Sequence, residues 1–377
     1  MFRCPKCGRS ASNERKCSSC GSLMEFQPET LRWRVHENEP SIWRYRELLP
    51  KAERIVSLGE GLTDVRKVDG TLIKDETRNP TGSYVDRGAS VIASCSPLMG
   101  YIELDFSEDV TVSLASYLLS AGNSVSVRVD PENIDVDELL YLSQLDVKIS
   151  FGSGRESDPY EDPLMIEGFK TIAYEIYEFR GDIRGIVIPS ESGVLAYGVV
   201  KGFSELERMG LLDTPKVYLA QHGPKRGELI DLLVSQGASF IEADPRETVE
   251  SLISLAKSGI YVKPISAMAY AIASKMGRNV IALLTGTGLR KLRDLRSTES
   301  LTELQRKVLS VMKGEEGMTA YQIWRRTEGA TLQGVYKALR KLSRMGLVSS
   351  RKVLHKKRVK RVYCIARSST RFYIDAA

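Results

Sequence analysis

Short and almost uninterrupted apolar runs recur along the middle of the chain. They are SVSVRV, GIVIP, KVYLA, SFIEA and VIALLTG, at 124–129, 185–189, 216–220, 239–243 and 280–286. Apolar runs of this length without polar alternation are typical of strands buried on both faces of a parallel sheet. The pattern therefore predicts that these segments are buried strands.

Amphipathic stretches lie between the apolar runs. Apolar residues recur at helical spacing in Val110–Ala121, Gly168–Phe179, Val194–Met209 and Arg226–Gln236. An alternation of strands and helices predicts an α/β fold with a mostly parallel sheet. Residues 27–297 are numerous enough for two sheets, and we expect a ligand cleft between them.

The pattern changes after residue 297. Three segments with helical spacing, at 300–312, 320–327 and 332–346, are followed by two strand-like segments at 347–354 and 358–366. This order, with Gly-Leu-Val closing the third helix, resembles a winged helix-turn-helix DNA-binding domain. We therefore predict such a domain over residues 298–377.

Charge separates the two parts of the chain. Residues 290–377 hold 22 Lys/Arg and 7 Asp/Glu, a balance of +15, although the whole chain is only +6. A basic helix and a basic hairpin tip are suited to the phosphates and base edges of double-stranded DNA. RNA is less expected, since no aromatic platform for unpaired bases is visible. The predicted DNA contacts are Gln333, Tyr336, Lys337, Arg340, Lys341, Lys356, Lys357, Arg358 and Lys360.

Four cysteines lie within the first twenty residues, as Cys4-x2-Cys7 and Cys17-x2-Cys20. Two such pairs supply four thiolates for one tetrahedral Zn²⁺, and a filled set of protein ligands is typical of a structural site. Disulfides are the alternative, but nothing in the chain indicates an oxidising compartment. We predict a zinc ribbon over residues 1–26.

Composition sets the broad class of the protein. The chain is 42% hydrophobic and 27% charged, which is ordinary for a globular protein. No apolar stretch is long enough to span a membrane, and the N-terminus lacks the apolar core of a signal peptide. We therefore expect a cytoplasmic protein without a membrane partner.

The stretch LIKDETRNPTGSYVDRGAS at 72–90 is the most informative part of the chain, together with SLGEGLTDV at 57–65 and LLTGTGLR at 283–290. These blocks resemble threonine synthase and its relatives among the fold-type II pyridoxal-phosphate enzymes. The resemblance spans about residues 1–295. It implies a two-subdomain body at 27–297 and a homodimer.

Chemically important positions depart from the pattern of that family. The resemblance places the lysine that binds the cofactor at position 85, where this chain has Val85, and an isopropyl group cannot form an imine. Glu108-Asp109 stands where the family has Gly-Asn, and Glu191 and Val194 replace glycines of its phosphate cradle. These differences predict that the chain is not an enzyme and binds no pyridoxal phosphate.

Several turns of the family's cleft are nevertheless present. They comprise Asn79, Thr81, Gly82, Ser83, Thr285 and Gly286. The residues could bind an amino acid or related anion at a helix start, or they could serve the fold alone, with Gly at positive φ and Pro at a rigid bend. The sequence leaves both interpretations open.

The main hypothesis is a DNA-binding transcription regulator whose inactive threonine-synthase-like body senses an amino-acid-type effector. The alternative is a pyridoxal-phosphate-dependent threonine synthase or related lyase with an accessory DNA-binding domain. A third possibility is a body that only dimerises the DNA-binding domain.

Overall fold

The structure is a computed structural model, and its backbone divides into two compact units, residues 1–291 and 292–377. It describes the whole chain except residues 1, 13, 29, 53, 97–99, 133–134, 153–158, 180, 224–226, 289–301, 313–316, 345–347, 356–357 and 366–377. Among the described residues, no helix is long and apolar enough to cross a membrane.

The first unit begins with a small antiparallel sheet. Its strands are β1 (Phe2–Arg3), β2 (Ser10–Ala11) and β3 (Glu25–Phe26), in the order β2-β1-β3. The two cysteine pairs occupy tight turns before and after β2. Gly8 and Gly21 follow them with φ of 75° each, a conformation that side chains with a Cβ rarely adopt.

Two further sheets form the body of the first unit. The large sheet contains β4 (Val65–Val68), β5 (Thr71–Asp75), β9 (Gly185–Pro189), β10 (Lys216–Gln221), β11 (Ser239–Glu242) and β12 (Val280–Leu284). Its order is β11-β10-β9-β12-β5-β4, and all neighbours are parallel except β4 with β5. The small sheet is parallel, in the order β6-β7-β8, with β6 (Tyr101–Asp105), β7 (Ser124–Val129) and β8 (Val147–Phe151).

Helices pack on both sheets. They are α1 (Val85–Cys95), α2 (Val110–Ser120), α3 (Val136–Leu142), α4 (Pro163–Phe169), α5 (Thr171–Glu178), α6 (Val194–Arg208), α7 (Glu228–Ser235), α8 (Pro245–Lys257) and α9 (Pro264–Met276). Strands β9 and β12 are buried along their whole length, as expected for a sheet covered on both faces. The mixed α/β class is therefore confirmed, and so are the predicted strands, with small shifts of their ends.

One predicted helix differs from the structure. The segment 168–179 was expected to be a single helix, but α4 ends at Phe169 and α5 begins at Thr171. Gly168 lies so close to α1 that an added Cβ would be 2.3 Å from the carbonyl oxygen of Arg87. This contact depends on packing between helices, which the apolar spacing within 168–179 does not encode.

The described part of the second unit consists of three helices and a hairpin. They are α10 (Glu303–Met312), α11 (Ala320–Arg326), α12 (Leu332–Arg344), β13 (Val348–His355) and β14 (Arg358–Ile365), and the two strands are antiparallel. Thr319 and Gln322 form a capping box at the start of α11. The unit has its own core, which includes Val308, Ile323, Val335, Leu339 and Leu342.

Candidate functional site

A cleft of about 470 Å³ lies in the body of the first unit. Its walls come from loops that follow strands of both sheets and from the starts of α2, α6 and α9. Carboxyl ends of parallel strands are the usual place for ligands in α/β folds, because helix N-termini and loops meet there. The lining includes Tyr84, Ser107–Val110, Tyr160, Pro189–Gly193, Leu195, Lys263–Ile265 and Thr285.

One wall of the cleft is the start of α6. Gly193 precedes this helix with φ of 87°, and an added Cβ would lie 2.9 Å from Cβ of Leu229, so the turn requires glycine. The first backbone N–H groups of a helix have no partner within it and attract anions. In the cleft lining beside this end of α6, the Ser190 hydroxyl donates to the Ile188 carbonyl oxygen at 3.1 Å, and the Ser192 hydroxyl accepts the Val194 N–H at 3.4 Å.

The two substitutions predicted to block this wall differ in position. Val194 is 1% exposed and packs in the core, so its side chain takes no space from the cleft. Glu191 is exposed and lines the cleft, so its carboxylate is the charge that a bound anion would meet. The sequence predicted that both side chains lie on the wall, because it does not show which way the first turn of α6 faces.

Another part of the cleft lining is acidic and holds one lysine. Nζ of Lys263, the residue that precedes α9, lies 3.0 Å from Oδ2 of Asp109 and 3.3 Å from Oε1 of Glu138, and it also contacts the Glu108 carboxylate. Both Glu138 carboxylate oxygens accept the Asp109 backbone N–H at 2.8 Å. Burial opposes the charge on Lys263, but the carboxylates outweigh it and raise its pKa. Lys263 belongs to the large-sheet side and its three partners to the small-sheet side, so the ion pairs cross the cleft.

Position 85 offers no amine to the cleft. Val85 is the first residue of α1, is fully buried and packs in the core. Its neighbour Tyr84 does line the cleft, and the Tyr84 and Tyr160 hydroxyl oxygens lie 2.7 Å apart. Among the described lining residues, Lys263 is the only lysine.

Lys74 is enclosed in a separate ionic network. Its Nζ donates to the Thr63 carbonyl oxygen at 2.7 Å and to Oε2 of Glu175 at 2.6 Å. Arg87 donates to Glu175 and to Glu76, and all of these side chains are buried. Burial opposes the charge on Glu175, but the Arg87 and Lys74 cations outweigh it and lower its pKa. Lys74 therefore has no route to a ligand in the cleft.

Of the six residues in the predicted ligand-binding turns, Thr285 lines the cleft. The others make contacts within the fold. Asn79 accepts the Gly61 N–H at 2.9 Å, and Thr81 donates to Asp86 through both its backbone N–H and its hydroxyl at 2.7 Å. Ser83 pairs with Gly286 in an isolated bridge, and an added Cβ on Gly82 would lie 2.6 Å from Cγ2 of Thr287. These contacts favour the interpretation that the turns serve the fold.

The sequence interpretation did not include Lys263, Glu138 and Tyr160. Lys263 stands in the unremarkable segment YVKPISA, and its partners at 108, 109 and 138 are more than a hundred residues away along the chain. Only the folding of the two sheets against each other brings these charges together.

The four N-terminal cysteines are gathered at one point. Their Sγ atoms all lie within 4.8 Å of one another, with Cys4 and Cys20 at 3.5 Å and Cys7 and Cys17 at 3.6 Å. Ligand atoms at about 2.3 Å from a tetrahedral Zn²⁺ would be about 3.7 Å apart. The cluster could therefore bind a metal ion.

The second unit presents cations and tyrosines on one helix and one strand. Gln333, Tyr336, Lys337, Arg340 and Lys341 are exposed on α12. Lys360 on β14 is also exposed, and a groove of about 570 Å³ lies beside Tyr321, Tyr336, Lys360 and Arg361. Arg358 is the first residue of β14, with no description of its side chain, and Lys356 and Lys357 lie outside the described residues.

Comparison with known proteins identifies the type of fold. The family described as pyridoxal-phosphate dependent enzyme matches residues 153–286. A threonine synthase of Methanocaldococcus jannaschii is 25% identical over 77% of this chain and 93% of its own length. A threonine synthase of Methanosarcina acetivorans is 23% identical over 71% of this chain and 75% of its own length. The solved structure of maize serine racemase matches with a TM-score of 0.53 at 14% identity, over 63% of this chain and 92% of that one.

The body is similar to fold-type II pyridoxal-phosphate enzymes. These matches correct one prediction, because the chain was expected not to be an enzyme, and its relatives are threonine synthases. The prediction rested on the missing lysine at position 85 and on the departures at 108–109, 191 and 194, which do not by themselves show that activity is lost. The structure places one lysine, Lys263, on the cleft wall.

The residues present fit pyridoxal phosphate at three points. The α6 N-terminus with Ser192 suits a phosphate group, Tyr84 and Tyr160 provide an aromatic wall, and Lys263 provides an amine. The carboxylates of Glu191, Glu108 and Asp109 in the same lining oppose an anion there.

Proposed function

We propose that the first unit is a pyridoxal-phosphate-dependent enzyme of the threonine synthase type or a related amino-acid lyase. The threonine synthase matches over most of the chain support this, and the observation that carries it is a single cleft lined by both an amine and a helix N-terminus. When bound, the cofactor withdraws electrons from the carbon next to an amino group.

The residues of the chain have separate tasks in this proposal. Backbone N–H groups at the start of α6 and the Ser192 hydroxyl hold the phosphate. The Tyr84–Tyr160 pair limits the entry of water. Lys263 and its carboxylate partners hold a proton near the substrate and connect the two walls.

Absorbance and turnover test the enzyme proposal together. Adding pyridoxal phosphate to the purified protein is expected to produce a protein-dependent visible band, and O-phosphohomoserine is expected to release inorganic phosphate. Glu191→Gln removes the charge that opposes the phosphate, so we expect several-fold tighter cofactor binding. Absence of both the band and the phosphate would exclude this function.

We further propose that the second unit is a winged helix-turn-helix domain that binds double-stranded DNA. The exposed face of α12 has the dimensions and charge to enter a major groove about 12 Å wide, with the hairpin beside it. By analogy with the sequence resemblance, a homodimer would present two such units to a two-fold DNA site. The chain would then join amino-acid chemistry to transcription control. In the same proposal, the four cysteines hold a structural zinc ion.

Arg340→Ala tests the DNA interface. We expect about tenfold weaker binding to duplex DNA, and the slope of log K against log salt should become shallower by about one. Fluorescence anisotropy over a salt series measures both. Lys257→Ala, which removes an exposed cation of α8 in the first unit, is the matched control and should leave binding unchanged. Equal binding by Arg340→Ala and the unmodified protein would remove α12 from the interface.

A further inference from the structure

The lysines of the first unit differ in what they can reach. Lys170 donates to the Leu48 carbonyl oxygen at 2.6 Å and is fully buried, and Lys201 lies 2.8 Å from Glu167 and is 7% exposed in its side chain. Lys74 is enclosed between Thr63 and Glu175. Lys263 is 17% exposed in its side chain and faces the cleft of about 470 Å³.

The start of α6, which lines the same cleft, is suited to an anion. Helix α6 is fifteen residues long, and Ser190, Ser192 and Gly193 lie at its start. A ligand with an aldehyde at one end and a phosphate at the other could contact Lys263 and this helix start together. Pyridoxal phosphate has both groups.

We propose that Lys263 carries the cofactor as an imine, in place of a lysine at position 85. This inference rests on the proposed enzyme function. The unprotonated Nζ of Lys263 adds to the aldehyde carbon, the carbon–oxygen bond breaks, and the oxygen leaves as water with two hydrogens from the amine and the solvent. The nitrogen keeps its bond to the carbon of the cofactor.

The carboxylates around Lys263 suit this product. A protonated imine has the same single positive charge as the ammonium group, so the ion pairs with Asp109, Glu138 and Glu108 persist after the reaction. The same carboxylates hold free Lys263 in its charged form, which slows the addition. Attachment should therefore be slow and the product stable.

Borohydride reduction of the full-length protein tests the assignment. Pyridoxal phosphate at a small molar excess, followed by reduction, converts the imine to an amine that mass spectrometry of the intact protein detects. We expect about one adduct per chain. Lys263→Arg keeps the positive charge and the ion pairs but forms no such imine, so it should lose the adduct while its melting temperature stays close to that of the unmodified protein.

Lys257→Arg is the matched control, since it removes an exposed lysine outside the cleft and should keep the adduct. An undiminished adduct in Lys263→Arg would overturn the inference. Calorimetric titration with pyridoxal phosphate separates this failure from that of the enzyme function. Binding without an adduct at Lys263 contradicts only the inference, whereas the absence of binding contradicts both.

Discussion

Two clusters of opposite charges in the first unit contain the same residue types and differ in what surrounds them. In the sealed network, Lys74 and Arg87 face Glu76 and Glu175, and all four side chains are at most 4% exposed. In the cleft cluster, Lys263 faces three carboxylates, of which Glu108 is 58% exposed, beside an open cavity. A sealed lysine is an internal part of the fold, whereas a lysine at a cavity can meet a ligand.

Removing a cation from the sealed network should cause the largest loss of folding stability. Arg87→Met leaves Glu76 and Glu175 buried with Lys74 as their remaining cation, and breaking a buried pair costs about 3–5 kcal/mol of the free energy of unfolding. Lys263→Met should cost less than this, because Glu108 is 58% exposed and Asp109 is 17% exposed, and only Glu138 at 1% is closed off from water. Urea unfolding measures both variants. Similar losses would show that the two clusters do not differ as described.

A smaller effect is expected at Asp86, which lies next to Arg87 on α1. Burial raises the pKa of the Asp86 carboxyl to about 7, whereas in the unfolded chain it is about 3.9. Between these values the folded chain binds a proton that the unfolded chain has lost, so stability falls as the pH rises through this window and stays lower above it.

Asp86→Asn removes this titration. The melting temperature of the variant, relative to that of the unmodified protein, should therefore rise by several °C between pH 4 and pH 8. Thermal unfolding of both proteins over this pH series measures the difference. A constant difference across the series would mean that Asp86 is ionised throughout.

The fold could be predicted from the sequence where the local pattern of apolar and polar residues determines the element. GIVIP and VIALL read as buried strands because both faces of the large sheet are covered, and the three helices and hairpin after residue 301 follow from spacing and turn residues. The break between Phe169 and Thr171 was not predictable from the apolar spacing, and neither was the close approach of Gly168 to α1, which exists only in the folded chain.

The candidate site was predictable only in part. The chain shows that position 85 has no amine and that Glu191 follows β9, but it does not show that Val194 turns into the core. The sequence also gives no sign that Lys263 lies in the cleft, since the charged residues of the cleft come from three segments that meet only after folding. A sequence motif shows that a functional group is missing at one position, but it does not show whether a residue of another helix or strand provides the same functional group.

Peptide mapping of the borohydride-reduced protein tests the contrast between the sealed and the cleft lysine most directly. After incubation with pyridoxal phosphate and reduction, we expect the modified peptide to contain Lys263, with Lys74 unmodified. A cofactor found on Lys74, or spread evenly over exposed lysines with Lys263 unmodified, would contradict the account.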